Sequence, residues 1–344
     1  MSYYAYYVKD VSKKQYYINN YLSKNEFDRI IYFCPKKQAG QILLPKNSHT
    51  FFYEDVDKTN EPYTLASDRS LLILDNCSRY KNIMTRTFKR LVRIANGYTN
   101  KLMLDIVPFT TGIEYLYVPW AYMSRSVLQH QHWYAFRENN KEIDENGNVV
   151  EGHDFKLLSK KISNYCEIDY KQFFENKTEV INCKMTKEEH SGYMKIREGL
   201  FQRFDKYQPI ITRLADYTNM AESRYLKMRD LISTLEGKTI IYTNIKSHNK
   251  ELKKRFKMPV MTYYDNNGEE KEANNIILFE IPIVKGCLFL DVVANLKPDC
   301  NVYIFLSDST SDKLLYKKMT DEYTSINEFT KTLWEVQNGR KKNI

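Results

Sequence analysis

Residues 70–82 read Ser-Leu-Leu-Ile-Leu-Asp-Asn-Cys-Ser-Arg-Tyr-Lys-Asn: four aliphatic side chains in a row, ended by Asp75 and Asn76. A short apolar run with no alternation predicts a strand buried on both faces, as in the middle of a parallel sheet. A helical pattern follows over 82–95, where Met84, Phe88, Leu91, Val92 and Ala95 recur at helical spacing. Residues 101–107 then read as another buried strand. Strand, helix, strand in that order predicts parallel α/β architecture. Upstream, 28–34 (DRIIYFC) and 50–53 add two more strands, and Tyr3, Tyr4, Tyr6 and Tyr7 are read as the two faces of a first one.

Downstream the pattern changes and then returns. Residues 115–174 are aromatic-rich and irregular, with a turn signal, Glu-Asn-Gly-Asn, at 145–148. Thr186 and Glu189 have capping-box spacing, which predicts the start of a long helical region that breaks at Pro209 and ends near 235. Strand-like runs recur at 238–243, 275–279 and 301–306, with a helix at 247–256. The expected fold class is therefore α/β, two parallel-sheet lobes around a helical middle. The boundaries expected are 1–118, 119–233 and 234–344.

Composition bounds the function classes. The chain has 344 residues, 42% of them hydrophobic and 28% charged, which excludes global disorder. Lys and Arg number 52 against 43 Asp and Glu, a net charge of +9 that leans toward polyanions without being a nucleic-acid signature in itself. Six scattered cysteines without a Cys-x-x-Cys predict reduced thiols. The most apolar stretch, 275–296, is interrupted by Glu280, Lys285 and Asp291, so no membrane span is expected. The expectation is a soluble, intracellular protein. Its 28 tyrosines and its abundant Asn and Lys match the usage of an AT-rich viral or mobile-element genome.

Four segments in order resemble the motifs of the Swi/Snf branch of superfamily 2 helicase-like motors. Leu71 to Asn82 is similar to the family's hydrophobic strand ending in Asp-Glu-x-His. Residues 104–108 (LDIVP) match its third motif in position. Residues 176–186 (NKTEVINCKMT), then Tyr193 and Ile196, resemble the bridge into the second lobe, and 237–244 (GKTIIYTN) resemble that lobe's opening strand. The resemblance spans nearly the whole chain and implies two RecA-like lobes.

The departures from the family pattern all point one way. A phosphate loop needs glycines for close backbone approach, yet the first glycine is Gly40. The stretch before the first helix, 5–12, has none, and it puts Asp10 where phosphate would be repelled; Asp10 and Ser12 are what remains of that site. Asp75 keeps a carboxylate, but Asn76 replaces the expected glutamate, and an amide cannot take a proton from water. No arginine lies between Arg255 and Arg340, where the family places its transition-state arginines. Loss of such a finger alone costs about 10³–10⁵ in rate. Gly237-Lys238-Thr239 precedes a strand and lacks the upstream glycine, so it reads as a structural loop. The expectation is a pseudo-ATPase with no cofactor.

Binding residues remain as candidates. From Asn76 to Leu104 there is no acid, while Arg79, Lys81, Arg86, Lys89, Arg90, Arg93 and Lys101 are basic. Without interleaved acids such a run fits sequence-independent phosphate contact, and equally a solvated helix face. By resemblance, Lys36 and Lys37 after Cys34-Pro35, and Thr243 with Asn244, would also touch a nucleic-acid backbone. His130, His132 and Trp133 lack the paired spacing of a zinc site, so no metal is expected. Two functions are carried forward: a passive DNA- or RNA-binding clamp, and a docking subunit for a protein partner. The docking reading would use the aromatic middle, with Trp120 and Trp133, as its contact surface.

Overall fold

The computed structural model describes residues 2–8, 11–80, 82–109, 112–140, 142–143, 149–150, 154–169, 177–203, 207–243, 245–262, 272–281, 299–308 and 310–341. By internal contacts the chain divides into two units, Met1–Gln172 with Glu322–Ile344, and Phe173–Asp321.

The first unit opens with β1 (Ser2–Tyr7), α1 (Val11–Ser23), β2 (Arg29–Cys34), β3 (Ser48–Phe52) and α2 (Glu61–Thr64). It continues with β4 (Ser70–Asp75), α3 (Arg86–Asn96), β5 (Asn100–Asp105), α4 (Tyr117–Met123) and α5 (Trp133–Asn139). Two short strands, β6 (Glu142–Ile143) and β7 (Val149–Val150), precede α6 (Phe155–Ile162) and β8 (Cys166–Ile168). The sheet order is β3-β2-β4-β5-β1-β8, and every neighbouring pair is parallel. Every residue of β4 is buried, as its unbroken apolar run requires. Each such Leu or Ile stabilises the fold by about 1.5–3 kcal/mol relative to exposure.

The helix after β4 starts later than its apolar spacing predicts. Asn82 Oδ1 accepts from the Met84 amide at 3.1 Å and the Thr85 hydroxyl donates to the Asn82 carbonyl at 2.7 Å, so 82–85 form a turn. Thr85 then caps α3, its Oγ1 accepting from the Phe88 amide at 3.2 Å. Met84 is left outside the stripe and is exposed. The expected turn at 145–148 lies outside the described residues; β6 and β7 on either side of it pair antiparallel.

The second unit holds β9 (Thr178–Cys183), α7 (Lys187–Arg203), α8 (Tyr207–Asn219), α9 (Glu222–Thr234), β10 (Thr239–Thr243) and α10 (Lys246–Arg255). Next come β11 (Val260–Thr262), β12 (Asn275–Leu278) and β13 (Asn301–Ser307), then a long last helix, Asp312–Lys341, whose part from Glu322 onward belongs to the first unit. Its sheet, β11-β10-β12-β13-β9, is also parallel throughout. The capping box is formed in full. The Glu189 amide donates to Thr186 Oγ1 at 3.1 Å, and the Thr186 amide to Glu189 Oε2 at 2.8 Å. Pro209 falls in the first turn of α8, where its missing N–H costs nothing. Gly237 takes φ +81 at the turn into β10, where the Lys238 amide donates to Asn274 Oδ1.

Two parallel α/β sheets are what the sequence predicts. The division by contacts, however, differs from the boundaries at 118 and 233. Strand β8 completes the first sheet beside β1, and β9 completes the second beside β13. Residues 119–233 therefore serve both units instead of standing apart.

Candidate functional site

The carboxyl end of the first sheet brings three strand ends together. Tyr7 of β1 is in register with Asp105 of β5, and Asp75 of β4 with Leu104. In open α/β sheets this edge is where ligands are bound. Asp75 is buried there and both its oxygens are engaged. Oδ1 accepts from Lys14 Nζ at 2.6 Å, and Oδ2 from the Tyr32 hydroxyl at 2.7 Å. Burial and the Asp75 carboxylate push the Tyr32 phenol well up, so it stays a donor.

Asn76 extends the same network. It sits at φ 54, a left-handed conformation that asparagine tolerates better than most residues. Its Oδ1 accepts from Lys14 Nζ at 3.0 Å, and its Nδ2 donates to Gln38 Oε1 at 2.7 Å. Lys14, Tyr32 and Gln38 are thus site residues that the sequence reading passed over. The available signals were Lys13-Lys14 in the first turn of α1 and a tyrosine hydroxyl two residues before the end of β2. Of the residues expected here, Ser12 is exposed and Asp10 lies outside the described residues.

Asp105 is the second carboxylate at this edge. It accepts from the Ser78 amide at 2.9 Å, the Ser78 hydroxyl at 2.8 Å and the Ile106 amide at 2.9 Å. Burial raises its pKa, and the Ser78 amide and the charge of Lys14 pull against that rise. The adjacent Cys77 thiol is pushed well up by burial and is no nucleophile.

The basic candidates sort into two groups. On α3, Arg86, Lys89 and Arg93 are exposed on one face, with Arg86 Nε 3.7 Å from Asp57. Arg90 differs. Its Nη2 donates to the Thr59 carbonyl at 2.5 Å and to Asn60 Oδ1 at 2.6 Å, and its guanidinium lies over the Tyr63 ring. It ties α3 to the 59–63 segment and is not part of an open phosphate-contacting face. Lys101 is likewise buried, donating to the Tyr122 and Met123 carbonyls at the end of α4, and burial lowers its pKa to about 8. The acid missing from 76–104 is partly supplied by 54–57. Lys36 is exposed but has Asp55 3.8 Å away, and its amide donates to Glu54. Lys37 is also exposed. Lys81 and the side chain of Arg79 lie outside the described residues.

In the second unit Thr243 is fully buried and donates to Glu280 Oε1 at 3.1 Å, so it is not placed to meet phosphate. The reason is Glu280 itself: a buried carboxylate needs donors, and Thr243, the Ile245 amide and His248 Nδ1 surround it. Asn244 lies outside the described residues. Nearby, Arg224 of α9 is fully buried. Nε and Nη2 donate to the Phe279 carbonyl, Nη2 also to the Phe305 carbonyl, and Nη1 to Ser307 Oγ and Asp312 Oδ2.

The aromatic middle is largely core. Tyr117, Trp120, Tyr122 and Phe136 are buried, so Trp120 offers no contact surface; Trp133 is half-buried, donating Nε1 to the Glu114 carbonyl. Among the described residues no group of three or more His, Cys, Asp or Glu is gathered as a metal site, and no helix is long and apolar enough to cross a membrane.

No protein-family model matches the chain, and no curated protein sequence matches it. Solved structures similar to it include the SWI2/SNF2 ATPase core of Sulfolobus solfataricus in complex with dsDNA. That match has 13% identity and a TM-score of 0.38, and covers 97% of this chain and 90% of that one. The same organism's SWI2/SNF2 ATPase core domain matches at 14% identity and TM-score 0.33, over 93% of this chain and 78% of that one. The Hef helicase domain of Pyrococcus furiosus matches at 9% identity and TM-score 0.43, over 93% and 95%. At such scores the α/β architecture is read from this chain's own strand order and pairing.

Proposed function

We propose that the chain is a helicase-like protein without nucleotide hydrolysis, acting as a passive module that binds nucleic-acid backbone without sequence preference. The observation that carries the loss of chemistry is the Lys14–Asp75–Tyr32 network. A magnesium triphosphate needs Asp75 open toward it, and here the protein's own ammonium and phenol take both carboxylate oxygens. The residues present do not fit that group. Asn76 adds to this reading, since its amide cannot accept a proton from water. Binding is supported by the exposed Arg86, Lys89 and Arg93 face of α3. The docking alternative loses its main support with Trp120 buried.

The test has two arms. Mg-ATP should leave the Tm unchanged, and ATPase activity should stay at background with or without DNA or RNA; a clear Tm rise with Mg-ATP overturns the loss of chemistry. Affinity for a mixed-sequence oligonucleotide should fall steeply with salt through counterion release. Replacing Arg86, Lys89 and Arg93 together by Gln should flatten that dependence. No salt-sensitive binding at low ionic strength makes these cations a solvated face.

A further inference from the structure

We propose that the polyanion taken by this face is single-stranded nucleic acid, held by stacking of a base on Tyr134 beside Met84. The inference rests on the backbone-binding reading above and names its substrate class. Tyr134, on α5, is 57% exposed, and Met84, in the turn before α3, is 66% exposed. The two meet, the tyrosine hydroxyl 3.8 Å from the Met84 sulfur, although they are 50 residues apart in the chain. Single exposed apolar side chains are ordinary on a protein surface. A phenol and a thioether from two elements, in contact at the hydroxyl and both exposed, with the Tyr134 ring held edge-on to Trp133 at 5.2 Å between centroids, form a platform.

What adjoins the platform decides its occupant. Arg86 lies two residues beyond Met84, and Lys89 and Arg93 continue the same exposed face of α3. On α5 itself Arg137, three residues after Tyr134 and also exposed, holds its guanidinium 5.3 Å from the Trp133 ring, with exposed Glu138 next in sequence. Cations carried on the same two elements as an exposed aromatic ring complement a polyanion whose π-faces are free. Single strands offer both, with phosphates for the cations and unstacked bases for the ring. A duplex keeps its bases stacked on one another, so Tyr134 would give it little beyond bulk. An acidic peptide would use the cations and leave the ring idle.

The experiment measures anisotropy of a labelled oligothymidylate and of a blunt duplex of equal length, each at two salt concentrations, with the full chain. The single strand should bind about 10-fold tighter than the duplex. Tyr134→Ala should weaken it by about 10-fold while leaving the salt slope unchanged, because stacking carries no counterions. Tyr134→Phe should retain binding. The Arg86, Lys89 and Arg93 triple Gln variant should instead flatten the slope for both probes. Duplex binding as tight as single-strand binding, or no effect of Tyr134→Ala, overturns the stacking inference and leaves the backbone reading standing. Salt-insensitive or absent binding of both probes overturns the two together. The Tm of each variant shows whether it is folded, and Tyr134 is exposed enough for its loss to leave the core intact.

Discussion

In the first unit a lysine, Lys14, is buried against the carboxylate at the end of a central strand; in the second an arginine, Arg224, is buried against main-chain carbonyls as well as a carboxylate. The difference follows from the two cations' shapes. A guanidinium presents five donors in a rigid fork, and the partners of Arg224 (Phe279 and Phe305 carbonyls, Ser307, Asp312) answer all of them. It joins α9 to the ends of β12 and β13 as a strut. The ammonium of Lys14 is a point charge on a flexible stem, and it joins Asp75 to the Asn76 side chain. One cation ties main-chain carbonyls of two strands together, whereas the other neutralises a single buried carboxylate.

That contrast is broken most severely at Arg224. Arg224→Leu should cost about 4–5 kcal/mol, since it leaves Asp312 buried without its cation, with only the Ser307 amide and Thr218 hydroxyl as donors, and removes the donors to two main-chain carbonyls. Arg224→Lys should recover little of this, because three donors on a stem cannot reproduce the fork. Urea unfolding followed by a probe in each unit measures both, and full rescue by lysine would show the strut to be only a charge.

Lys14→Met comes next, at about 3 kcal/mol, because Asp75 would remain buried without its cation. Here the paired change Lys14→Met with Asp75→Leu should restore most of the loss, as apolar replacement of a buried ion pair commonly does. A double variant as unstable as the single one would make the network indispensable, and the two cations alike.

The smallest effect per group is a shared one. Burial raises the Cys34 thiol to about 12, and the Cys183 and Cys300 thiols to about 11, from an ordinary value of 9.0. In the fold these thiols keep their protons after the unfolded chain has ionised. Stability is therefore whole below pH 9 and falls as pH rises past it, by about 1 kcal/mol per thiol at pH 10. Lys101 has the opposite sign: its folded value near 8 lies below 10.5, so its contribution rises between those limits. The first unit also holds the raised Cys77 and Cys166 thiols and most of the raised tyrosines, so the one Lys101 offset does not reverse its loss. Across a series from pH 8 to 10 the Tm should fall for both units. A rise for both units would contradict the buried thiols.

The sheets were legible in the sequence because a parallel strand needs both faces buried, and runs such as Leu71–Leu74 say so directly. The helix start at Arg86 was harder, since Met84 fits the apolar spacing and only the side chain of Asn82 turns the chain away. The site was partly legible. Asp75 and Asn76 stand out at a strand end, but Lys14 sits in a polar helix turn, and nothing local reports that it faces inward. Thr243 was misread for the same reason: its partner, Glu280, is 37 residues away. Arg224 had a faint signal, an arginine in register with buried Tyr225 and Met228 on one helix.

The way the chain revisits its first unit bears on the order in which that unit is completed. Residues 322–344 belong with 1–172, and Phe329 packs its ring against Phe109 and Phe155 while Gln337 donates to the Cys166 carbonyl. On the ribosome every residue of the second unit emerges before these do. The part of the protein made first must therefore wait, with the groove for Phe329 open, while the part made second can close its own core. The nascent first unit exposes an aromatic groove throughout that interval, and its completion depends on a segment encoded some 150 residues downstream of the rest of its sequence.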